Sequence, residues 1–143
     1  MTIEPAVLKT LSDILLNGVD IHRCAAATAL GRLGVPDAVE PLIDALRDED
    51  EDVRTDAATA LAGLRDGRAA VSLLENLIED PCGDVKTAAL ETLSRMRSPD
   101  LIPWLRRIVR GRDEEIAWDD DALDAGGWDD WVDVQVKAIE GLA

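Results

Sequence analysis

Phenylalanine and tyrosine are absent from this chain of 143 residues, which also contains one histidine and two cysteines. A single histidine excludes a histidine-rich metal centre. The chain has no Gly-rich phosphate loop, nucleophile elbow or paired-cysteine zinc motif, so we predict no catalytic residue, no metal-binding residue and no cofactor. No apolar run is long enough to cross a bilayer, and residues 1–4 do not resemble the start of a signal peptide. We therefore expect a cytoplasmic protein that does not bind membranes.

Positive charge is also scarce. Lys and Arg number 15 against 30 Asp and Glu, which gives a formal net charge of −15 and a pI near 4.3. Nucleic-acid binding depends on Lys and Arg at the phosphates, so we predict that the protein does not bind nucleic acid. Adaptation to high salt would also explain the acidic excess. One local basic run precedes an acidic segment, and pairing between the two is the favoured interpretation; the run consists of Arg106, Arg107, Arg110 and Arg112.

The chain contains an internal repeat of 31 to 32 residues. The sequence AATAL at residues 26–30 recurs at residues 57–61. Val53 and Val85 begin equivalent segments 32 residues apart, whereas Val134 begins a further one 49 residues after Val85, so about 17 residues have been inserted. A fixed period in this range indicates a stack of similar units.

Each repeat is predicted to be a pair of helices. Apolar residues recur three and four apart, and Gly, Pro or Asp clusters separate the segments. Asp52 and Asp84 precede the first apolar residues of two helices and are predicted to cap them. The expected helices lie at about 4–16, 21–33, 37–47, 52–64, 68–79, 83–96, 100–110 and 131–142.

The repeat also predicts a core and a division of the chain. Leu30, Leu61 and Leu93 are expected to be buried equivalents, and Trp104 is expected to replace Leu42 at a core position. The chain forms one domain in this interpretation. It consists of an N-terminal cap helix (1–18), three repeats (19–111), an acidic insertion (112–130) and a C-terminal cap helix (131–143).

Short motifs make the chain resemble a known family. Asp-Val-Arg at residues 52–54, its variant Asp-Val-Lys at 84–86, the AATAL continuation and Pro-Leu-Ile at 41–43 look like HEAT repeats. The short period is similar to the HEAT-like type named after phycobilisome lyases. The resemblance covers residues 19–111 and 131–142. It implies an all-α fold, a right-handed α-solenoid of antiparallel helix pairs. Members of this class include bilin lyases, cofactor-maturation factors, adaptors and scaffolds, so it does not select one activity.

The histidine and the two cysteines, which could take part in catalysis, are better explained by structural roles. His22 stands at the position of Val53, where a residue of the first helical turn is expected rather than a ligand or a base. Cys24 and Cys82 lie far apart at non-equivalent repeat positions, so no disulfide is expected. A helix start after Cys82 favours a lowered thiol pKa, but Asp80 and Asp84 oppose it, and an unreactive cysteine is the preferred interpretation.

The insertion is the main functional lead. Residues 112–131 contain nine acidic side chains and three of the four tryptophans. Tryptophan flanked by carboxylates suits a basic and partly apolar partner, and functional residues often lie in loops on rigid scaffolds. The predicted partner-binding patch consists of Trp118, Asp119, Asp120, Trp128, Asp129, Asp130 and Trp131.

Two other interpretations of the insertion stay open. Its tryptophans can fold back over the last helices and only cap the stack. Carboxylates can also bind Ca²⁺, although the spacing lacks the ligand set of an EF-hand loop; the candidate ligands are Asp119, Asp121, Asp124, Asp129, Asp130 and Asp133.

Two functions follow from these observations. The favoured one is a non-catalytic scaffold or adaptor that binds a protein with a basic or apolar patch through a solenoid face and the insertion. The alternative, implied by the resemblance, is a lyase-like or maturation factor that handles a bilin or metallocofactor together with a partner subunit.

Overall fold

The described part of the chain is a stack of helices. The structure, a computed structural model, describes residues 4–118 and 128–143, with the side chains of 128–130 excepted. The expected all-helical fold is confirmed, and the helix ends differ from the predicted ones by at most three residues. The helices are α1 (Pro5–Asn17), α2 (Asp20–Leu33), α3 (Val39–Ala45), α4 (Glu51–Leu64), α5 (Ala70–Glu79), α6 (Gly83–Met96), α7 (Leu101–Arg110) and α8 (Trp128–Leu142).

The helices form two layers. In one layer α2, α4, α6 and α8 pack side by side, and α1, α3, α5 and α7 form the other. Each helix of the second layer packs mainly on the next helix along the chain, α3 on α4 and α5 on α6, rather than on the helix before it. The core therefore crosses the boundaries between repeats, as expected when stability comes from interfaces between neighbours. The division into cap helices, three repeats and an insertion stays a prediction.

The predicted core register is confirmed for the first layer. Leu30, Leu61 and Leu93 are 0, 1 and 0 % exposed. The prediction for Trp104 is wrong in detail, because this side chain is only half-buried at the edge of the core. Leu105 is buried instead.

The two predicted helix caps are also wrong. Asp50, not Asp52, caps α4, since its carboxylate accepts the N–H groups of Asp52 and Val53 at 3.0 and 3.2 Å. The helix begins one residue earlier than predicted, and a short carboxylate reaches the amides two and three residues ahead. Helix α6 begins after Cys82, whose side chain makes no capping hydrogen bond. Asp84 lies inside the first turn, near the positive end of the helix dipole.

One position of the repeat donates to a backbone carbonyl that lies either in the last turn of the preceding helix or in the turn just after it. The last carbonyls of a helix lack donors of their own and need other partners. In this fold the donors come from equivalent positions of α2, α4, α6 and α8. Arg23 donates to Gly18 (3.0 Å), Arg54 to Asp48 (3.0 Å), Lys86 to Leu77 (2.8 Å) and Gln135 to Ile108 (3.1 Å).

Candidate interaction site

The first half of the insertion is docked on the helical stack. After α7 the chain turns at Asp113, whose carbonyl accepts the Ile116 N–H at 3.0 Å. Ile116 is 6 % exposed and belongs to the core. The next N–H, of Ala117, donates to the Ile78 carbonyl at the end of α5 at 2.7 Å. Residues 111–118 are therefore fixed against α5 and α7, and they bring Trp118 to the C-terminal end of the stack.

Arg107 holds this segment in place. Its guanidinium donates to both carboxylate oxygens of Asp113 and, at 2.8 Å, to Glu115. The hydrogen bonds from Arg107 lower the pKa of Asp113, and the two carboxylates raise the pKa of Arg107. The guanidinium also lies 4.6 Å from the centre of the Trp104 ring. For Arg107, the structure confirms that the basic run pairs with the acidic insertion.

Two of the three tryptophans of the insertion meet edge to face. The ring centres of Trp118 and Trp131 are 5.2 Å apart and their planes are inclined by 88°. This geometry is favourable because the positive edge of one ring faces the negative face of the other. Both side chains are half-buried and pack against the core. The Arg112 guanidinium lies 5.9 Å from the centre of the Trp118 ring.

A surface pocket opens beside this tryptophan pair. Its volume is about 510 Å³, and the walls combine the two aromatic rings with a guanidinium and two carboxylates. The lining residues are Arg112, Asp113, Glu114, Ile116, Ala117, Trp118 and Trp131. Such a site can accept an apolar side chain on the rings and a cationic group at the Glu114 carboxylate.

Comparison with known proteins identifies the fold family. The family model for HEAT repeats matches residues 8–77 and 57–119. The chain belongs to the HEAT-repeat family. HEAT repeats generally serve as protein-interaction scaffolds. No curated protein matches this HEAT-repeat chain.

The structure brings together only part of the predicted patch. Trp118 and Trp131 are in contact, as described above. The first turn of α8 consists of Trp128, Asp129 and Asp130, whose side chains fall outside the described part of the structure. Two further residues of the patch, Asp119 and Asp120, fall outside the described residues, as do the calcium candidates Asp121 and Asp124.

The residues considered for catalysis occupy structural positions in this HEAT-repeat protein. His22 is exposed in the first turn of α2. Both cysteines are free, and burial raises the thiol pKa of each, to about 11 for Cys24, where Asp56 adds to the effect. An elevated pKa disfavours the reactive thiolate. Within residues 4–118 and 128–143, no three His, Cys, Asp or Glu side chains are grouped as a metal site, and no helix could cross a membrane.

Sequence reasoning missed the buried amine next to this site. The Lys86 side chain is fully buried and donates to the carbonyls of Leu77 and Ile78 at 2.8 and 3.3 Å. Ile78 also accepts the N–H of Ala117, so Lys86 lies directly beneath the docked segment. Burial lowers the pKa of Lys86 to about 8, although nearby Asp80 opposes the shift. The sequence did indicate that another donor is needed at the end of α5, because Pro81 has no backbone N–H to donate there.

Proposed function

We propose that this HEAT-repeat protein is a non-catalytic scaffold that binds another protein at the C-terminal end of its stack. The observation that carries the proposal is the half-buried Trp118–Trp131 pair beside an open pocket. The binding surface, called here the tryptophan patch, comprises Trp118, Asp119, Asp120, Trp128, Asp129, Asp130 and Trp131.

The chemistry of the tryptophan patch favours a partner that is both apolar and basic. Large aromatic side chains in partly desolvated positions dominate the energetics of many interfaces. Ten Asp and Glu residues and no Lys or Arg lie between residues 113 and 136. This charge attracts Lys and Arg of a partner and accelerates their encounter, most strongly at low salt.

Trp118 and Trp131 also pack against the core, so the experiment must separate binding from capping. Replacing Trp118 and Trp128 together by Ala should weaken partner binding by tenfold or more, about 1.4 kcal/mol, while the helical circular dichroism signal is largely kept. Binding is measured by isothermal titration calorimetry with the partner that a pull-down with the intact chain identifies. Ile43→Ala serves as the control, because it removes a half-buried apolar side chain that packs against the core in α3, away from the patch.

Two outcomes contradict the proposal. If the double variant unfolds and binding follows only the folded fraction, the tryptophans are cap residues and the partner surface lies on residues 19–111. If the purified protein carries the absorbance of a bilin or a metallocofactor, the maturation factor is the better assignment.

A further inference from the structure

The outer surface of α8 carries an apolar stripe. Four aliphatic residues are spaced four, three and three positions apart and therefore share one face of the helix. Each of them is between 45 and 56 % exposed: Val132, Val136, Ile139 and Leu142. The opposite face is buried, because Val134 and Ala138 pack against α6 and α7. A surface helix normally has one apolar face, whereas α8 has two.

Two residues of the exposed stripe occupy core positions of the repeat. Ile139 and Leu142 lie 49 residues after Leu90 and Leu93, the same shift that relates Val134 to Val85. Leu90 and Leu93 are 1 and 0 % exposed in α6, where neighbouring helices cover them. Helix α8 thus keeps core residues at these core positions, but within residues 4–118 and 128–143 about half of each side chain stays uncovered.

The size of the stripe fits one helix better than a second copy of the chain. From Val132 to Leu142 the helix rises about 15 Å, or roughly three turns. Four half-exposed aliphatic side chains present a few hundred Å². A specific dimer buries about 800 Å² on each partner. Two copies would also bring together chains with a formal net charge of −15 each.

The negative charge around the stripe favours a basic helix as its partner. The acidic stretch of residues 113–136 includes the N-terminal half of α8, where Asp133 is exposed. In the C-terminal half, Lys137 pairs with Glu140 at 3.2 Å, so that end is closer to neutral. Basic residues of a partner are therefore attracted to the N-terminal half of the stripe.

We propose that the outer stripe of α8 seats an amphipathic helix of another protein. Its apolar side chains cover Val136 and Ile139, and its Lys and Arg residues lie along the N-terminal half of α8. This inference rests on the proposed scaffold function and assigns a second contact surface beside the tryptophan patch.

The test uses two synthetic amphipathic peptides of about 20 residues, long enough to form a helix. They share one apolar stripe and differ only in carrying Lys or Glu on its flanks. Each is titrated into the full chain by calorimetry. We expect the Lys peptide to bind and the Glu peptide not to bind. Ile139→Asp should weaken binding of the Lys peptide at least about tenfold, because an aliphatic contact is lost.

The matched control is Val71→Asp, which adds the same charge at a residue of α5 that is 69 % exposed. It should bind the Lys peptide as the unchanged protein does. Since Ile139 is exposed as well, both variants should keep the circular dichroism spectrum and melting curve of the parent.

Four results would overturn the inference. These are equal binding of both peptides, no binding of either, unchanged affinity in Ile139→Asp, or a dimer in sedimentation that Ile139→Asp converts to a monomer. The last result would make a second copy the occupant. If Trp118→Ala abolishes binding and Ile139→Asp does not, the helix binds at the tryptophan patch, and the scaffold function stands without the α8 surface.

Discussion

At the scale of single residues, a lysine replaces a helix donor that a proline removes. In a continuing helix the Leu77 carbonyl would accept the N–H of residue 81, but Pro81 has none. The Lys86 amine fills this place at 2.8 Å. An unpaired buried carbonyl costs about 1–3 kcal/mol, which explains why an amine is tolerated in the core here. Desolvation of its charged form is the opposing cost.

Lys86 should make stability depend on pH in the alkaline range. Its pKa falls from 10.5 to about 8 on folding, so between these values the unfolded chain binds more protons than the folded one. The contribution of Lys86 to the free energy of unfolding is therefore greatest above pH 10.5 and is lost as the pH falls through about 8. The whole change corresponds to about 3 kcal/mol. Urea unfolding of the parent and of Lys86→Met at several pH values measures it as the difference between the two proteins.

Taking that difference removes the contribution of the thiols. Burial raises the pKa of Cys24 and Cys82, so their contribution to stability falls as pH rises and masks the slope in the parent alone. Cys24 is present in both proteins and cancels, whereas the Cys82 thiolate interacts with the Lys86 amine, so both proteins are made with Cys82→Ala. A difference that stays constant from pH 7 to 10.5 would show that Lys86 keeps its ordinary pKa.

At the scale of helices, the sequence predicts what depends on spacing. Apolar residues three and four apart predict the helices, and the register of Leu30, Leu61 and Leu93 follows from the repeat. The C-terminal ends of α4 and α6, at Leu64 and Met96, agree with the prediction, but the backbone conformation of the residue after each helix could not be predicted. Arg65 and Arg97 adopt the left-handed conformation that Gly34 has at the end of α2, with φ of 49° and 53°. The left-handed conformation is energetically unfavourable for arginine, so an arginine in the sequence does not indicate that the chain turns there.

The candidate site was predictable to a similar extent. Pairing of Arg107 with the insertion follows from opposite charges in adjacent segments. Contact between Trp118 and Trp131 does not follow, because the path between them has no periodicity that fixes where the rings meet. Burial of Lys86 was missed because lysine is almost never fully buried.

The spacing of α2 and α4 depends on a glycine. A Cβ added at Gly31 would lie 2.7 Å from the Ala60 Cβ and 2.9 Å from its Cα, so the two helices would have to separate. We expect Gly31→Ala to destabilise the protein by about 1–2 kcal/mol, since overpacking outweighs the better helix propensity of alanine. Thermal and urea unfolding measure the effect.

Gly63, near the end of α4, provides the matched control. A Cβ there would approach its nearest neighbour, the Gly31 carbonyl oxygen, only to 3.8 Å, which is an ordinary contact. Gly63→Ala should therefore stabilise the protein by about 0.5–1 kcal/mol. Equal effects of the two substitutions would show that the helices are not held at this close approach.

At the scale of the whole molecule, like-charge repulsion acts against the stack. Acidic residues outnumber basic ones two to one. Ion pairs within the repeats offset part of this: Arg23 of α2 meets Asp48 after α3 at 2.9 Å, and Arg54 of α4 meets Asp80 after α5 at 2.7 Å. These four side chains are at most 14 % exposed, so salt screens them less than it screens the exposed carboxylates.

Added NaCl should therefore stabilise the protein. The screening length falls from about 10 Å at 0.1 M to about 3 Å at 1 M, which weakens repulsion between exposed carboxylates. We expect a gain of about 1 kcal/mol, or roughly 4 °C in the melting temperature, most of it below about 0.5 M. Asp44→Asn combined with Glu79→Gln removes two exposed charges near the C-terminal ends of α3 and α5 and should raise stability at low salt while reducing the gain. A melting temperature that falls with salt would mean that the ion pairs outweigh the repulsion.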